Sequence, residues 1–415
     1  MSDCVRLPVE IAVLNAKIAL AALAALSLAA CSSTAGLAPV SDRPLAAPTV
    51  PVQGAPLAGG AQIGAGPVRV ALILPLTQGS GPSVVGTSLR NGAELEIEDA
   101  RAGGAKDDHT VLVKDDGSSP DGARAAAQNA LNEGAELILG PLFAPNVKEV
   151  AKLARAAGRP MIAFSTDTTA ASRNAYLLSF LIESYVDRIV DFAAAKGKKS
   201  FAVLAPENEY GNVAVAEFQQ AAARRGVRVQ AIERYAAGGA LAAVQKVALV
   251  KDQIDALFVP EQADAMANVS QALVANGLGG GPKLQILGTG LWNDARILKL
   301  PALQGAWFAA PENGGFNAFA EKYRKKFGSD PTRIATLSYD AVSLVSALAR
   351  TQGAQRFSEG VLTSASGFNG ADGVFRFRPD GQNERGLSVL QIGGGTTKAI
   401  SPAPRSFAAG AVAQQ

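Results

Sequence analysis

From Val68 onward, short apolar and β-branched runs alternate with amphipathic segments of helical length, and nothing else in the chain constrains the fold as strongly. Residues 68–74, 111–113, 137–139 and 161–164 read as strands, with helices expected over 86–100, 120–132 and 146–157. The rhythm then repeats. Strands are expected over 201–204, 227–232, 256–259 and 284–287, and helices over 184–195, 214–225, 241–250 and 263–276. Strands buried on both faces and separated by helix-length segments indicate βαβ units and parallel sheets. Right-handed crossovers then stack helices on both faces, giving an α/β fold with three-layer α/β/α packing. About 330 patterned residues are too many for one core, so two such lobes are expected. The end of the chain differs. Residues 370–378 and 387–392 read as strands joined hairpin-fashion through Pro379-Asp380-Gly381, and 394–415 as a flexible tail.

The front of the chain has another character. Lys17 precedes an apolar stretch from Ile18 to Ala30, which closes as Leu26-Ser27-Leu28-Ala29-Ala30-Cys31. A basic flank, a short apolar core and small residues at a cut site make a signal peptide over 1–30. The core is too short to span roughly 30 Å of hydrocarbon as a permanent helix. The ending Leu-Ala-Ala-Cys resembles a bacterial lipobox. That resemblance implies cleavage before Cys31 and lipidation of its thiol and new amine, a durable anchor at about 0.8 kcal/mol per buried CH₂. Ser32 follows in place of the aspartate that retains Gram-negative lipoproteins in the inner membrane, so the resemblance implies the inner leaflet of the outer membrane, facing the periplasm. Residues 31–66, rich in Ala, Pro and Gly, read as a tether.

Several function classes fall away. The cysteines are Cys4, in the leader, and Cys31, so the mature chain has none for a disulfide or a thiolate site. One histidine, His109, in a Lys106-Asp107-Asp108-His109 turn, leaves no histidine-rich metal site and no basis for a serine triad. A net charge of +3 with dispersed Lys and Arg gives no nucleic-acid surface. Lys196-Gly197-Lys198-Lys199-Ser200 lacks the first glycine of a phosphate loop and precedes a strand, so it reads as a charged turn. The pairs Asp107-Asp108 and Asp115-Asp116 read as solvated carboxylates at strand ends, and His109 as a solvated loop residue. No enzyme, cofactor or metal is expected.

A set of landmarks carries a family resemblance. Val70-Ala71-Leu72-Ile73-Leu74-Pro75-Leu76-Thr77-Gln78 opens the domain, followed by Gly86 and Arg90-Asn91-Gly92-Ala93-Glu94-Leu95. Leu137-Ile138-Leu139-Gly140-Pro141-Leu142, Arg159-Pro160-Met161-Ile162-Ala163-Phe164-Ser165-Thr166, Glu209-Tyr210-Gly211 and Ser338-Tyr339-Asp340-Ala341 follow in order. Together they resemble the leucine-type, or type I, periplasmic binding proteins over about residues 68–393. The resemblance implies two lobes joined by three crossovers around a central cleft. Lobe 1 would hold 67–180 plus 308–352, and lobe 2 would hold 181–307 plus 353–393. Ligands of this fold lie at the carboxyl ends of the strands.

The same resemblance nominates cleft residues. Amino-acid binders of the family place a hydroxyl after the Gly-Pro-Leu strand end to hold the ligand carboxylate; here Phe143 and Ala144 stand there, and Asn146 is read as a helix cap. Ser165 and Thr166 fit the family's small hydroxyl pair, while Asp167 beside them repels a carboxylate. Tyr210 matches the tyrosine lining the second lobe, and Glu261 lies near another usual contact. Trp292 ends a strand at the cleft mouth, to stack on a ligand or to cover the sheet edge. Two functions remain. The first is a lipid-anchored activator of peptidoglycan synthases, resembling the lipoprotein activators of penicillin-binding proteins but lacking their helical-repeat domain in front. The second is a solute-binding component working with an ABC permease on amino acids, amides or peptides.

Overall fold

The structure, a computed structural model, describes residues 61–105, 108–281 and 283–407. The leader, Cys31 and most of the tether lie outside the described residues. The end of the expected tether is part of the fold. Strand β1 (Gln62–Gly64) pairs antiparallel with a later strand, His109–Asp115, and Ile63 packs on the core.

Lobe 1 is built on β2 (Val68–Leu74). A small hairpin, β3 (Thr77–Gln78) and β4 (Gly81–Pro82), leads into α1 (Val84–Ala102). Then come β5 (His109–Asp115), α2 (Pro120–Asn132), β6 (Leu137–Leu139), α3 (Ala144–Ala156), β7 (Met161–Ala163) and β8 (Ala175–Leu177). The sheet order is β1-β5-β2-β6-β7-β8, parallel except for β1. Side-chain alternation on β2 divides the core. Val70, Leu72 and Leu74 face α1, and Ala71 and Ile73 face α2 and α3. Gly86 seats α1 against the end of β2, where an added Cβ would lie 2.0 Å from the Pro75 carbonyl oxygen. Gly86→Ala is therefore expected to cost about 1–3 kcal/mol through forced backbone movement, read as a lower urea midpoint at unchanged m-value.

Lobe 2 repeats the plan. Its elements are α4 (Ile182–Ala195), β9 (Ser200–Pro206), α5 (Glu209–Arg225), β10 (Arg228–Tyr235), α6 (Ala240–Ala248), β11 (Ala256–Phe258), α7 (Ala263–Ala275) and β12 (Gln285–Gly288). The short α8 (Ala295–Leu298) precedes β13 (Trp307–Ala310). On β9, Phe201, Val203 and Ala205 face α4 and α5, while Ala202 and Leu204 face α6 and α7. The chain then returns to lobe 1 through α9 (Asn313–Phe327), α10 (Ala335–Thr351) and α11 (Glu359–Leu362). A three-stranded sheet follows, β14 (Phe368–Gly370), β15 (Gly373–Phe377) and β16 (Asn383–Arg385). Finally β17 (Ser388–Gly393) and β18 (Thr396–Ser401) complete the second sheet, ordered β10-β9-β11-β12-β13-β17-β18.

Three expectations change here. Phe308, Ala309 and Ala310 lie in β13 of lobe 2, so the second crossover follows residue 310 and not 307. Phe357, Leu362, Phe375 and Phe377 bury in the lobe 1 core, so 353–385 stays with lobe 1, and only β17 and β18 join lobe 2. The expected hairpin also divides. Pro379-Asp380-Gly381 turns β15 onto β16, with Gly381 at φ +89°, and β17 leaves to pair antiparallel with β13. Nor is 394–415 wholly a tail, because β18 pairs with β17 across Gly394 (φ +59°) and Gly395 (φ +76°). Two glycines at positive φ permit that tight return, and the strand covers an otherwise open sheet edge.

Candidate functional site

Parallel strands bring the loops after β6 and β7 to the carboxyl edge of lobe 1. Phe143 is exposed at the amino end of α3 and makes no side-chain cap, and Ala144 begins the helix against the core. Asn146 does not cap. It is buried inside α3, and its Nδ2 donates to Asp116 Oδ2 at 2.9 Å. Asp116 is likewise buried, not solvated; desolvation pushes its carboxyl up, against the hydrogen bonds from Asn146 and the Ser118 N–H. Asp115 ties the same edge together, accepting from the Leu76 and Thr77 N–H groups at 3.0 and 3.2 Å and the Thr77 hydroxyl at 2.7 Å. His109 opens β5 and is buried, not in a solvated loop.

Ser165 is buried and its Oγ accepts from the Asp167 N–H at 3.1 Å, while Thr166 beside it is exposed. Asp167 accepts from the Thr169 hydroxyl at 2.6 Å and from its N–H at 2.9 Å. These bonds, with Lys148 at 3.8 Å, hold its carboxyl below the usual range, so Asp167 stays ionised beside the hydroxyl pair. The next residue reaches lobe 2, where Thr168 Oγ1 donates to Glu183 Oε1 at 2.9 Å.

In lobe 2, Tyr210 stands in the first turn of α5, its hydroxyl 2.5 Å from Thr289 Oγ1 after β12. Burial pushes the Tyr210 hydroxyl up, and it remains a proton carrier. Trp292 is not at the cleft mouth. It is fully buried, inside the core formed with α6 and α7, and its indole lies where a Cβ on Gly288 would go. It therefore covers a strand end and is withdrawn from any ligand. Glu261 is 4% exposed and accepts from the Tyr235 hydroxyl at 2.6 Å and the Gln262 N–H at 2.7 Å. It lies in the wall of a cavity of about 540 Å³ whose lining comes from lobe 2 alone. Among the described residues no group of three or more His, Cys, Asp or Glu is placed to hold a metal ion.

The crossovers converge on a buried charge cluster that the sequence reading passes over. Arg333 stacks on Phe180 of the first crossover (4.7 Å to the ring centre) and on Phe316 of α9 (4.5 Å). Its guanidinium holds Asp372 at 2.8 and 2.5 Å, and the Thr336 hydroxyl donates to the same carboxylate at 2.6 Å. Arg385 of the third crossover lies 4.6 Å from the Phe180 ring centre and donates to the Ser179 carbonyl at 3.0 Å, where Asn383 also donates at 2.9 Å. Asp340 is buried in the same place, its Oδ1 accepting from the Ala371 N–H at 2.6 Å. Desolvation pushes its carboxyl up to about 7, against the attraction of Arg385.

Two α/β lobes, each a mostly parallel sheet with helices on both faces and joined by three crossovers, define a two-lobed α/β fold. The chain belongs to the periplasmic binding protein family, whose model matches residues 67–397. A search of curated proteins returns no match. Among solved structures, a branched-chain amino acid ABC transporter protein of Rhodospirillum rubrum superposes with a TM-score of 0.70 at 20% identity, covering 80% of this chain and 99% of that one. A solute-binding protein of Rhodopseudomonas palustris, in complex with 3,4-dihydroxybenzoic acid, gives 0.57 at 24% identity, covering 81% and 96%. A substrate-binding protein of Desulfitobacterium hafniense, in complex with Leu, gives 0.59 at 16% identity, covering 80% and 99%. At these identities the likeness concerns the fold.

Proposed function

We propose that this chain is the periplasmic solute-binding component of an ABC importer, closing its lobes on a small amino-acid-like solute without covalent chemistry. The observation that carries the reading is the family match across both lobes, with Ser165, Thr166 and Tyr210 at the carboxyl edges of the two sheets. The lobe 1 edge favours an uncharged or amine-bearing end over a free carboxylate. Asp167 is ionised there, and Phe143 and Ala144 offer no hydroxyl. Amides of branched-chain amino acids fit that edge better than the acids themselves.

Thermal unfolding of the protein against branched-chain amino acids, their amides, short peptides and benzoate tests it. A ligand that binds only the folded state adds about 2.7 kcal/mol at one hundred times its Kd. The expected result is a saturable rise in Tm with an amide, reduced in Ser165→Ala and in Tyr210→Phe by roughly the 0.5–1.5 kcal/mol of one hydrogen bond each. A flat response to the whole panel from a cooperatively folded protein would overturn the importer reading.

A second reading rests on Cys31 and the Ala/Pro/Gly-rich segment 31–66. A lipid anchor in the outer membrane would separate the domain from an inner-membrane permease and suit an activator of penicillin-binding proteins. Its test is a pull-down of peptidoglycan synthases from solubilised envelopes by the lipidated chain, with Cys31→Ala as the unanchored control. Recovery of a penicillin-binding protein by a chain that binds no small solute is the result this reading expects.

A further inference from the structure

Charge is handled differently at the amino-terminal edges of the two sheets. In lobe 1 it is mostly paired. Arg350 meets Asp108 before β5, Arg356 meets Glu136 before β6, and Glu359 meets Arg173 before β8, while Arg159 before β7 stands outside these pairs. In lobe 2 the same edge carries Lys196, Lys198 and Lys199 before β9, Arg228 at the start of β10, Lys251 before β11 and Lys283 before β12. None of these six has an ion-pair partner among the described residues, and all but Lys198 are exposed. The acids of that edge are Asp252 and Asp255, and Asp255 Oδ2 is already engaged by the Lys199 and Ser200 N–H groups at 2.6 and 3.2 Å. Because β10, β9, β11 and β12 are neighbours in the sheet, their amino ends form a row about 14 Å long at the usual strand spacing. Tyr210, Glu261 and Thr289 follow the other ends of β9, β11 and β12, so this edge is separate from the cleft and from the lobe 2 cavity.

Two apolar side chains stand in the same edge. Leu249, at the end of α6, is 83% exposed, and Val274, in the last turn of α7, is 52% exposed. Lys251 joins the two helix ends, its Nζ lying 4.0 Å from where a Cβ on Gly277 would stand, three positions after Val274. Helix macrodipoles favour cations at helix carboxyl ends, but the effect fades within the last turn. It accounts for Lys196, the C-cap of α4, and leaves the other five. A protruding aliphatic group among unpaired cations suits a fluid anionic surface. The cations meet phosphate headgroups, their hydrocarbon stems lie along the apolar boundary, and the leucine inserts. Leu249 projects instead of lining a recess, which suits a deformable bilayer better than a shaped protein partner.

We infer that the amino-terminal edge of the lobe 2 sheet docks on an anionic phospholipid surface, its cations at the headgroups and Leu249 inserted among them. The surface stands whether or not the cleft carries a solute for an importer.

Both sheets and the cores packed on them lie within residues 61–407, so the chain from Gly54 on is tested without the leader or Cys31. Its co-sedimentation with vesicles of equal parts phosphatidylglycerol and phosphatidylcholine is compared with that on phosphatidylcholine alone. Binding to the anionic vesicles is expected to be at least about ten-fold tighter, and to be lost in about 1 M salt, where charges are screened beyond roughly 3 Å. Each basic residue near such a surface adds about five-fold, so Lys199→Gln, Arg228→Gln and Lys251→Gln together are expected to weaken binding about a hundred-fold. Leu249→Ser is expected to weaken it about ten-fold by removing the inserted group. All four positions are exposed, and both variants are expected to unfold at the parent urea midpoint. Equal binding to the two kinds of vesicle, or undiminished binding by the triple variant, would overturn the assignment. Binding lost in the triple variant but unchanged in Leu249→Ser would also overturn it, and would point to an acidic protein as the partner of this edge.

Discussion

Replacing Arg333 with alanine is expected to lower the unfolding free energy by about 3–5 kcal/mol, the range found when one partner of a buried ion pair is removed. The Asp372 side chain is fully buried, whereas that of Arg333 is 35% exposed. The substitution therefore strands the buried carboxylate, leaving it the Thr336 hydroxyl and no cation within salt-bridge reach among the described residues. It also removes a guanidinium stacked between Phe180 and Phe316, worth roughly 0.5–1 kcal/mol for each partly exposed contact. Arg333→Lys is expected to recover little, since one ammonium cannot reproduce two donors and a planar stack. The double variant Arg333→Ala, Asp372→Asn is expected to regain part of the loss by removing the stranded charge, which gives the pair a positive coupling energy in a double-mutant cycle. Urea unfolding of the parent, Arg333→Ala, Arg333→Lys, Asp372→Asn and the double variant measures this. A loss under about 1 kcal/mol in Arg333→Ala would show the pair to behave like a surface one.

That cluster also marks where sequence reasoning stops. Most strands over 68–287 were legible because they are apolar on both faces, and the structure places them within a residue or two of the pattern; the mostly exposed β10 runs three residues past it, to Tyr235, and β8 (Ala175–Leu177) was not expected. Helix starts were less legible. Periodicity alone shows α5 from 214; its start, which the Glu209-Tyr210-Gly211 landmark marks, is fixed by Asn208, whose side chain accepts from the Gly211 N–H six residues before that pattern begins. Lobe membership after 310 was not legible, because periodicity says which residues are buried and not against which core. Phe375 and Phe377 would suit either lobe by pattern, and Tyr176 at 5.2 Å from the Phe377 ring centre decides for lobe 1. The strand Thr396–Ser401 has a β-branched start after a Gly-Gly turn, but it is largely exposed and lacks the apolar run that marks the buried strands.

For the candidate site, the resemblance singled out Tyr210 but not its hydrogen-bond partner Thr289, since 79 positions separate them. Trp292 shows the limit most clearly. A large aromatic after a strand end is compatible with stacking or with burial, and only the neighbouring Gly288, against which the indole lies, distinguishes the two. Arg333, Asp372 and Arg385 look like dispersed surface charge in the sequence. Their meeting depends on three crossovers returning to one place.

Folding stability is expected to fall as pH rises from about 4 to 7, the reverse of a protein governed by ion-paired carboxylates. Burial pushes Asp340 up to about 7 against the pull of Arg385, with Asp372 adding to the rise. It pushes Glu96 up to about 7 against the Ser346 hydroxyl bonds and Arg350. Both start from ordinary values, 3.8 and 4.5, in the unfolded chain. Between those values and 7 the native state holds protons that the unfolded state has released. The unfolded state binds fewer protons, so stability declines with pH by up to about 1.4 kcal/mol per unit for each group, and levels off above 7. Asp187, pushed up to about 6 by burial and by Glu217, acts in the same direction. Carboxyls held low, such as Asp167 and Asp294, contribute stability above their unfolded values and lose it only below about pH 4, outside this window. Summed and discounted for relaxation around the charges, the decline between pH 4.5 and 7.5 is expected to be roughly 2–5 kcal/mol. Glu96→Gln and Asp340→Asn remove a titrating carboxyl while keeping an acceptor for Ser346 or for the Ala371 N–H. Each is expected to flatten the slope and to raise the urea midpoint at pH 8 more than at pH 5. A midpoint that climbs from pH 5 to pH 7 in the parent, or variants that keep its full slope, would mean that the two carboxyls ionise in the folded protein as they do in water.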